Sequence, residues 1–191
     1  MPRLLPEKIQ DALRLALPFS GICFRNVSPE FADRLNILSA QGSLRAGGRF
    51  NLKDKFAAIY LSCDLHTCIE ETTKTAGRSD VEIAKLLPRT IVGIEVKLSR
   101  VLDLTDNVIR RKLGITKKSL IATEWKNYQN IVLQEAFTQQ LGRLAREAGF
   151  EAILVPSAVT RGKNLDVFPD RLLSGSSLKI INRSRLPLPK R

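Results

Sequence analysis

The chain has 191 residues, 43% of them hydrophobic and 26% charged, a composition typical of one globular domain and not of a disordered chain. A net charge of +12 would attract polyanions such as nucleic acid, a nucleotide or an acidic protein. Cys23, Cys63 and Cys68 lack the spacing of a zinc site or of a disulfide framework. We therefore expect reduced thiols, no metal, no membrane span and a cytoplasmic location.

The first half of the chain is predicted to contain a short helix, two strands and a second helix. Apolar residues recur at helical spacing up to Pro18, so residues 1–20 are predicted to form an N-terminal helical extension. Apolar stretches bounded by turn residues predict strands at 21–27 and 57–62. Asp64 then has the character of an N-cap and predicts a helix directly after it.

The second half is predicted to contain one long helix between strands. Apolar stretches, alternating in the first case, predict strands over 89–104, 151–157 and 178–184, and helical spacing predicts a single helix over 123–150. The buried stripe of that helix is predicted to consist of Trp125, Tyr128, Val132, Ala136, Leu141, Leu144, Ala145 and Ala148. The order of elements indicates one α+β domain with a mixed β-sheet core and flanking helices, followed by a basic tail at 183–191.

Polar residues stand at the ends of several predicted strands. They are Arg25, Arg49, Tyr60 and Ser157, with Glu71 on the helix after the second strand. The stretch RAGGRFN, residues 45–51, places two glycines between two arginines, which would let the backbone approach an anion held by guanidinium groups. A solvated turn and ordinary polarity at strand ends fit the same pattern, so the residues alone leave both interpretations open.

Four segments of the chain carry a family resemblance. FRNV, GGRFN, YLSCDLHTCIEET and VPSAVTRGKNLDVFPD occur in this order within residues 21–170. Together they resemble the RES domain family, which is named for its Arg, Glu and Ser. Four motifs in order are a more specific signal than any one of them. The resemblance implies a catalytic domain over residues 21–182, with a fold similar to that of ADP-ribosyltransferases.

Carried over residue by residue, the resemblance implies six functional positions: Arg25, Arg49, Tyr60, Glu71, Ser157 and Asn164. The two arginines would bind the pyrophosphate of NAD⁺, and Glu71 would stabilise the positive charge that develops on the ribose. Glu71 is preferred to Glu70 because it lies eleven residues after Tyr60. Tyr60 and Ser157 would contact the nicotinamide ribose, nicotinamide or phosphate. Phe50 stands where many members have tryptophan.

The resemblance also implies a function and a partner. It predicts a toxin of a bacterial toxin–antitoxin system that cleaves NAD⁺ at the nicotinamide–ribose bond, with inorganic phosphate or water as acceptor. The partner would be an Xre-type helix-turn-helix antitoxin that covers the active site, and direct nucleic-acid binding is not required. Two alternatives stay open: a mono-ADP-ribosyltransferase that modifies a protein, and a non-catalytic basic nucleic-acid-binding module favoured by the +12 charge.

Overall fold

The computed structural model describes residues 4–77, 87–121 and 124–188. Its central element is a six-stranded mixed β-sheet. The strands are β1 Leu17–Val27, β2 Ile59–Ser62, β3 Thr90–Asp103, β4 Ala152–Pro156, β5 Lys163–Val167 and β6 Ser177–Ile180. The helices are α1 Leu5–Ala12, α2 Gln41–Ala46, α3 Leu65–Gly77, α4 Asn107–Leu113, α5 Lys117–Ile121, α6 Trp125–Asn127 and α7 Phe137–Ala148, with a π-helix at Tyr128–Val132. The predicted α+β class with a mixed sheet is confirmed.

The strands follow the order β1-β2-β5-β4-β3-β6, and an additional pairing of β1 with β3 closes the first five into a ring. Among these pairings β3 with β4 is parallel and the rest are antiparallel. β1 and β3 pair along most of their length, whereas β1 and β2 meet only at Phe24 and Ser62. The single bridge between β1 and β2 fixes which side chains of the two strands share a face.

The sheet separates two apolar cores. The first core joins α1, α4, α5 and α7 to one face of the sheet and includes Ile9, Leu113, Leu120, Leu141 and Ile153. The second core lies on the other face and includes Cys23, Ile37, Leu61, Ile94 and Leu165. Because successive strand residues point to opposite faces, a shift of one position moves a side chain from one core to the other.

The single helix predicted over 123–150 is wrong. α6 is followed by the π-helix, Leu133 adopts a left-handed conformation with φ of 55°, and α7 begins only at Phe137. Tyr128 and Val132 are each 45% exposed, so their predicted burial is also wrong. The buried side chain of the π-helix is Gln129, which donates to the Ala46 carbonyl oxygen at 3.0 Å. In the π-helix the buried position is therefore taken by a polar residue that bonds α2, and not by the predicted apolar residues.

The C-terminal half of the predicted stripe is confirmed except for Ala148, which is only half-buried. Leu141, Leu144 and Ala145 are buried on α7, and the helix ends at Gly149 in a left-handed conformation, as the sequence predicts. α7 packs very closely on the loop before β2. A Cβ added at Gly142 would lie only 2.8 Å from the carbonyl carbon of Phe50, so this position has room for glycine alone. The backbone of the loop of residues 47–51 therefore lies directly against α7.

The two ends of the chain differ from their predictions in smaller ways. β1 begins at Leu17, so the last residues of the predicted helical extension are strand. In the tail, the Arg34 guanidinium donates to the carbonyl oxygens of Leu186 at 3.0 Å and Ser184 at 2.9 Å, while residues 189–191 lie outside the described ranges. None of the helices in the described part of the chain is long and apolar enough to cross a membrane.

Candidate functional site

A carboxylate on α3 is held by residues at the ends of two strands. Asp64 caps α3, as predicted, by accepting the Thr67 backbone N–H at 2.7 Å. On the next turns, Glu71 Oε1 accepts hydrogen bonds from Ser157 Oγ and from Asn164 Nδ2, both at 2.7 Å. The structure therefore brings Glu71, Ser157 and Asn164 into one cluster, which we call the Glu71 cluster.

The two residues that hold Glu71 are themselves fixed in orientation. Ser157 is buried, and its Oγ accepts the backbone N–H groups of Val159 and Thr160 at 3.1 Å each, which leaves its proton to be donated to Glu71. Asn164 Oδ1 accepts the Ser62 hydroxyl at 2.9 Å, so its amide nitrogen faces Glu71. Ser157 thus acts as a donor that orients the Glu71 carboxylate.

Tyr60 lies on the same face of the sheet as Ser62 and Asn164. Its hydroxyl donates to Asn51 Oδ1 at 2.8 Å and accepts the Phe50 backbone N–H at 3.0 Å. Burial and the negative charge of Asp166 raise the pKa of Tyr60 well above its ordinary value. The phenol is therefore a neutral group that ties the RAGGRFN loop to β2.

The glycines of RAGGRFN are required by side chains of this protein itself. A Cβ at Gly48 would lie 2.6 Å from Tyr60 Cζ and closer still to the hydroxyl oxygen. Gly47 has φ of +74°, and a Cβ there would lie 2.9 Å from Gln129 Cδ. The close approach that the glycines permit is therefore to Tyr60 and to Gln129.

Arg49 extends from the same loop towards the end of α5. Its Nη1 donates to the carbonyl oxygens of Leu120 at 2.9 Å and Ile121 at 3.1 Å. The positive charge of Arg49 opposes the rise in the pKa values of Tyr60 and Asp166, but burial raises both pKa values by more than Arg49 lowers them. The charge of Arg49 therefore acts on the face of the sheet that carries Tyr60.

Asp166 is a member of this face that the sequence interpretation missed. It lies opposite Tyr60 in the β2–β5 register, two residues after Asn164, and is 1% exposed. Its Oδ1 is buried and has no hydrogen-bond partner among the described residues. Burial and the nearby charge of Glu71 raise the pKa of Asp166 well above its ordinary value. The alternation Asn164-Leu165-Asp166 could have identified it, because residues two apart on a strand point to the same face.

Two buried glutamines, Gln129 and Gln139, bond the loop of residues 47–51 and its flanking residue Ala46, and the sequence analysis did not identify them. Gln139 Nε2 donates to the carbonyl oxygens of Gly48 at 3.1 Å and Asn51 at 3.3 Å, and to Gln129 Oε1 at 3.0 Å. Neither glutamine had a distinguishing sequence signal, because Gln129 and Gln139 stand among several similar polar residues in a helical stretch. The network holds the loop that carries Arg49.

Arg25 lies on the other face of the sheet. The bridge between Phe24 and Ser62 places the Arg25 side chain on the face of the second core, opposite Tyr60. Its guanidinium donates to the carbonyl oxygens of Ile37 and, at 3.0 Å, Ser39, and burial lowers its pKa to about 10. The structure brings the other five predicted residues towards one face and directs Arg25 to the loop of residues 28–40.

This face carries a fixed carboxylate, Glu71, and a cationic guanidinium, Arg49, and the charges of both act on Asp166. A carboxylate held by two neutral donors can stabilise a nearby positive charge, and an arginine can bind phosphate oxygens. Within the described ranges no three His, Cys, Asp or Glu side chains converge in a way that could hold a metal ion.

Comparison with known proteins shows the family to which this chain belongs. NAD(+) phosphorylase MbcT of Mycobacterium bovis and that of Mycobacterium tuberculosis are each 28% identical over 144 residues, which is 74% of this chain and 75% of theirs. The crystal structure of the M. tuberculosis MbcT–MbcA toxin–antitoxin complex matches with a TM-score of 0.68 and 22% identity, over 94% of this chain and 92% of that chain. The RES domain matches residues 22–188, nearly the whole chain, and this protein belongs to the RES domain family.

Proposed function

We propose that this protein is an enzyme that cleaves NAD⁺ at the nicotinamide–ribose bond with inorganic phosphate as acceptor, and that it acts as the toxin of a toxin–antitoxin pair. The observation that carries the proposal is the Glu71 carboxylate, fixed by Ser157 and Asn164 at 2.7 Å each. The relationship to NAD(+) phosphorylase MbcT supports the choice of substrate and acceptor.

In the proposed reaction Glu71 stabilises the ribose as its bond to nicotinamide breaks. The departure of nicotinamide leaves oxocarbenium character on the sugar, as in glycoside hydrolysis. A carboxylate already oriented by two donors needs no rearrangement when this charge develops, which is the condition for effective electrostatic stabilisation. Nicotinamide leaves as a neutral molecule from a cationic precursor, so the mechanism needs no general acid and gives no role to the exposed His66.

The neighbouring residues divide the remaining tasks. Arg49 supplies positive charge for the pyrophosphate or for the incoming phosphate. Tyr60 remains neutral at physiological pH because its pKa is raised, and it offers a ring surface at the base of the site. Arg25 has a structural task, since it holds the loop of residues 28–40, whose carbonyl oxygens it binds.

The proposed partner is an antitoxin that covers this face. MbcT is seen in a complex with the antitoxin MbcA. The net charge of +12 on the present chain would favour an antitoxin whose contact surface is acidic.

The test is incubation of the purified, antitoxin-free protein with NAD⁺, with and without inorganic phosphate. We expect free nicotinamide in the presence of phosphate, together with a phosphorylated ADP-ribose product. ADP-ribose alone would instead assign water as acceptor, and transfer of label from NAD⁺ to a protein would assign a macromolecular acceptor. A folded wild-type protein that releases no nicotinamide under any of these conditions would overturn the proposal.

Glu71→Gln with Glu70→Gln as its matched control tests the residue. The two glutamates are adjacent on α3, but it is Glu71 that contacts Ser157 and Asn164. We expect Glu71→Gln to lower the rate of nicotinamide release by about a hundredfold or more, since a group that stabilises transition-state charge is removed. Glu70→Gln should stay within about threefold of the wild type, because it leaves the electrostatic stabilisation by Glu71 unchanged. Equal losses in the two variants would contradict the assignment of Glu71.

A further inference from the structure

Two cysteines face each other across β1 and the end of β2. Phe24 and Ser62 form an antiparallel bridge, so Cys23 and Cys63 lie opposite each other in the same register. Opposed residues in such a pair have Cα atoms roughly 4.5–5.5 Å apart, which lies within the range of about 4.4–6.8 Å that disulfides span. Both thiols are free in the structure.

The two thiols differ in access and in acidity. Cys23 is fully buried in the second core, whereas Cys63 is partly exposed. The interaction with Cys23 and the charge of Lys163 lower the pKa of Cys63, while the interaction with Cys63 and burial raise the pKa of Cys23. The less buried cysteine is therefore also the one that more readily forms a thiolate, the form that reacts with oxidants.

We propose that Cys23 and Cys63 are a redox-active dithiol that a hydroperoxide converts reversibly into a cross-strand disulfide. The Cys63 thiolate attacks one peroxide oxygen, the O–O bond breaks, and the released hydroxide takes up a proton to leave as water. The resulting Cys63 sulfenic acid is attacked by Cys23, the S–O bond breaks, and the second water carries away the Cys23 proton. The two thiols lose two electrons in total, and hydrogen peroxide accepts them.

The position of the dithiol connects it to the strand and helix that carry the Glu71 cluster. Cys63 stands between Ser62, which bonds Asn164, and Asp64, which caps α3. A disulfide at this point would join β1 covalently to the junction of β2 and α3. Its formation rests on the geometry of the two thiols alone and holds whatever reaction the Glu71 cluster performs.

Cys68 serves as an internal control. It is buried on α3, and burial raises its pKa to about 11, so it reacts more slowly than an accessible thiol of ordinary acidity. We expect it to remain a thiol under conditions that oxidise Cys63. Cys68 thereby distinguishes a specific dithiol from general oxidation of the chain.

The experiment treats the folded full chain with a slight excess of hydrogen peroxide and then counts thiols after denaturation. The count should fall from three to one, the intact mass should decrease by two hydrogen atoms, and peptide mapping should find Cys23 joined to Cys63. Dithiothreitol should restore all three thiols. Cys63→Ser should form no intramolecular disulfide, and Cys68→Ser should form it at the wild-type rate.

Three results would overturn the proposal. They are a disulfide that includes Cys68, a disulfide between two copies of the chain, and accumulation of Cys63 sulfinic acid without linkage to Cys23. Circular dichroism of each variant establishes that it is folded before the thiol count is made, and Cys63→Ser changes only a partly exposed side chain.

Discussion

The two faces of the sheet at β1, β2 and β5 both carry polar side chains but differ in what these side chains contact. On the first-core side, Ser62 donates to Asn164, the Tyr60 hydroxyl bonds Asn51 and Phe50, and the buried Asp166 lies opposite Tyr60. On the second-core side, Arg25 stands among apolar residues and binds backbone carbonyl oxygens. Arg25 and Arg49 both donate to carbonyl groups, yet only the charge of Arg49 acts on Tyr60 and Asp166. The type of a residue at a strand end therefore does not define the role of that residue. The face of the sheet to which its side chain points must also be known.

The largest contrast between the faces is expected from replacing each arginine with methionine. Arg49→Met should lower the rate of nicotinamide release from NAD⁺ by at least about tenfold, because it removes a guanidinium that would bind phosphate oxygens. Arg25→Met should leave that rate per folded molecule within about threefold. It should instead lower the free energy of unfolding by about 1–3 kcal/mol, because two carbonyl oxygens lose their donor.

Activity assays combined with denaturant unfolding of both variants separate these effects. If Arg25→Met raised the KM for NAD⁺ as strongly as Arg49→Met does, the division of roles between the faces would be wrong. The Arg49 variant also loses contacts with α5, so its unfolding curve must be measured to normalise the rate to folded protein.

The close packing of the polar face is tested by Gly48→Ala. The added Cβ would overlap Tyr60, and we expect a loss of about 1–3 kcal/mol in the free energy of unfolding, as for overpacked interiors. Gly42→Ala is the control, since no atom lies within 4 Å of its Cβ position on α2. That change should be neutral or stabilising by about 0.5–1 kcal/mol, because alanine favours helix. A Gly48→Ala protein as stable as the wild type would contradict the packing described for Tyr60.

The smallest effect is expected from Asp166→Asn and depends on pH. The raised pKa of Asp166 means that the folded protein retains a proton that the unfolded chain releases above about pH 4. Its contribution to stability is therefore full below the unfolded pKa and decreases as the pH rises towards the folded pKa. Asp166→Asn does not titrate, so its melting temperature relative to the wild type should increase between about pH 4 and 7. A difference that is constant over this range would contradict the assignment.

Much of the fold followed from local sequence patterns. The strand over 89–104, the N-cap at Asp64 and the end of α7 at Gly149 were predicted because each depends on residues next to it in the chain. The helix over 123–150 was not predicted correctly, because the contact between Gln129 and the Ala46 carbonyl joins segments that are distant in sequence. Helical spacing contains no information about such a partner.

The sequence by itself determined the alternation of the strands, the caps of the helices and the family motifs, because these are properties of neighbouring residues. The tertiary structure alone decided that Glu71 meets Ser157 and Asn164, that Arg25 faces the second core, and that Asp166 is buried without a partner for Oδ1 among the described residues. Pairing register is the physical reason, since one residue of shift exchanges the two faces of every strand.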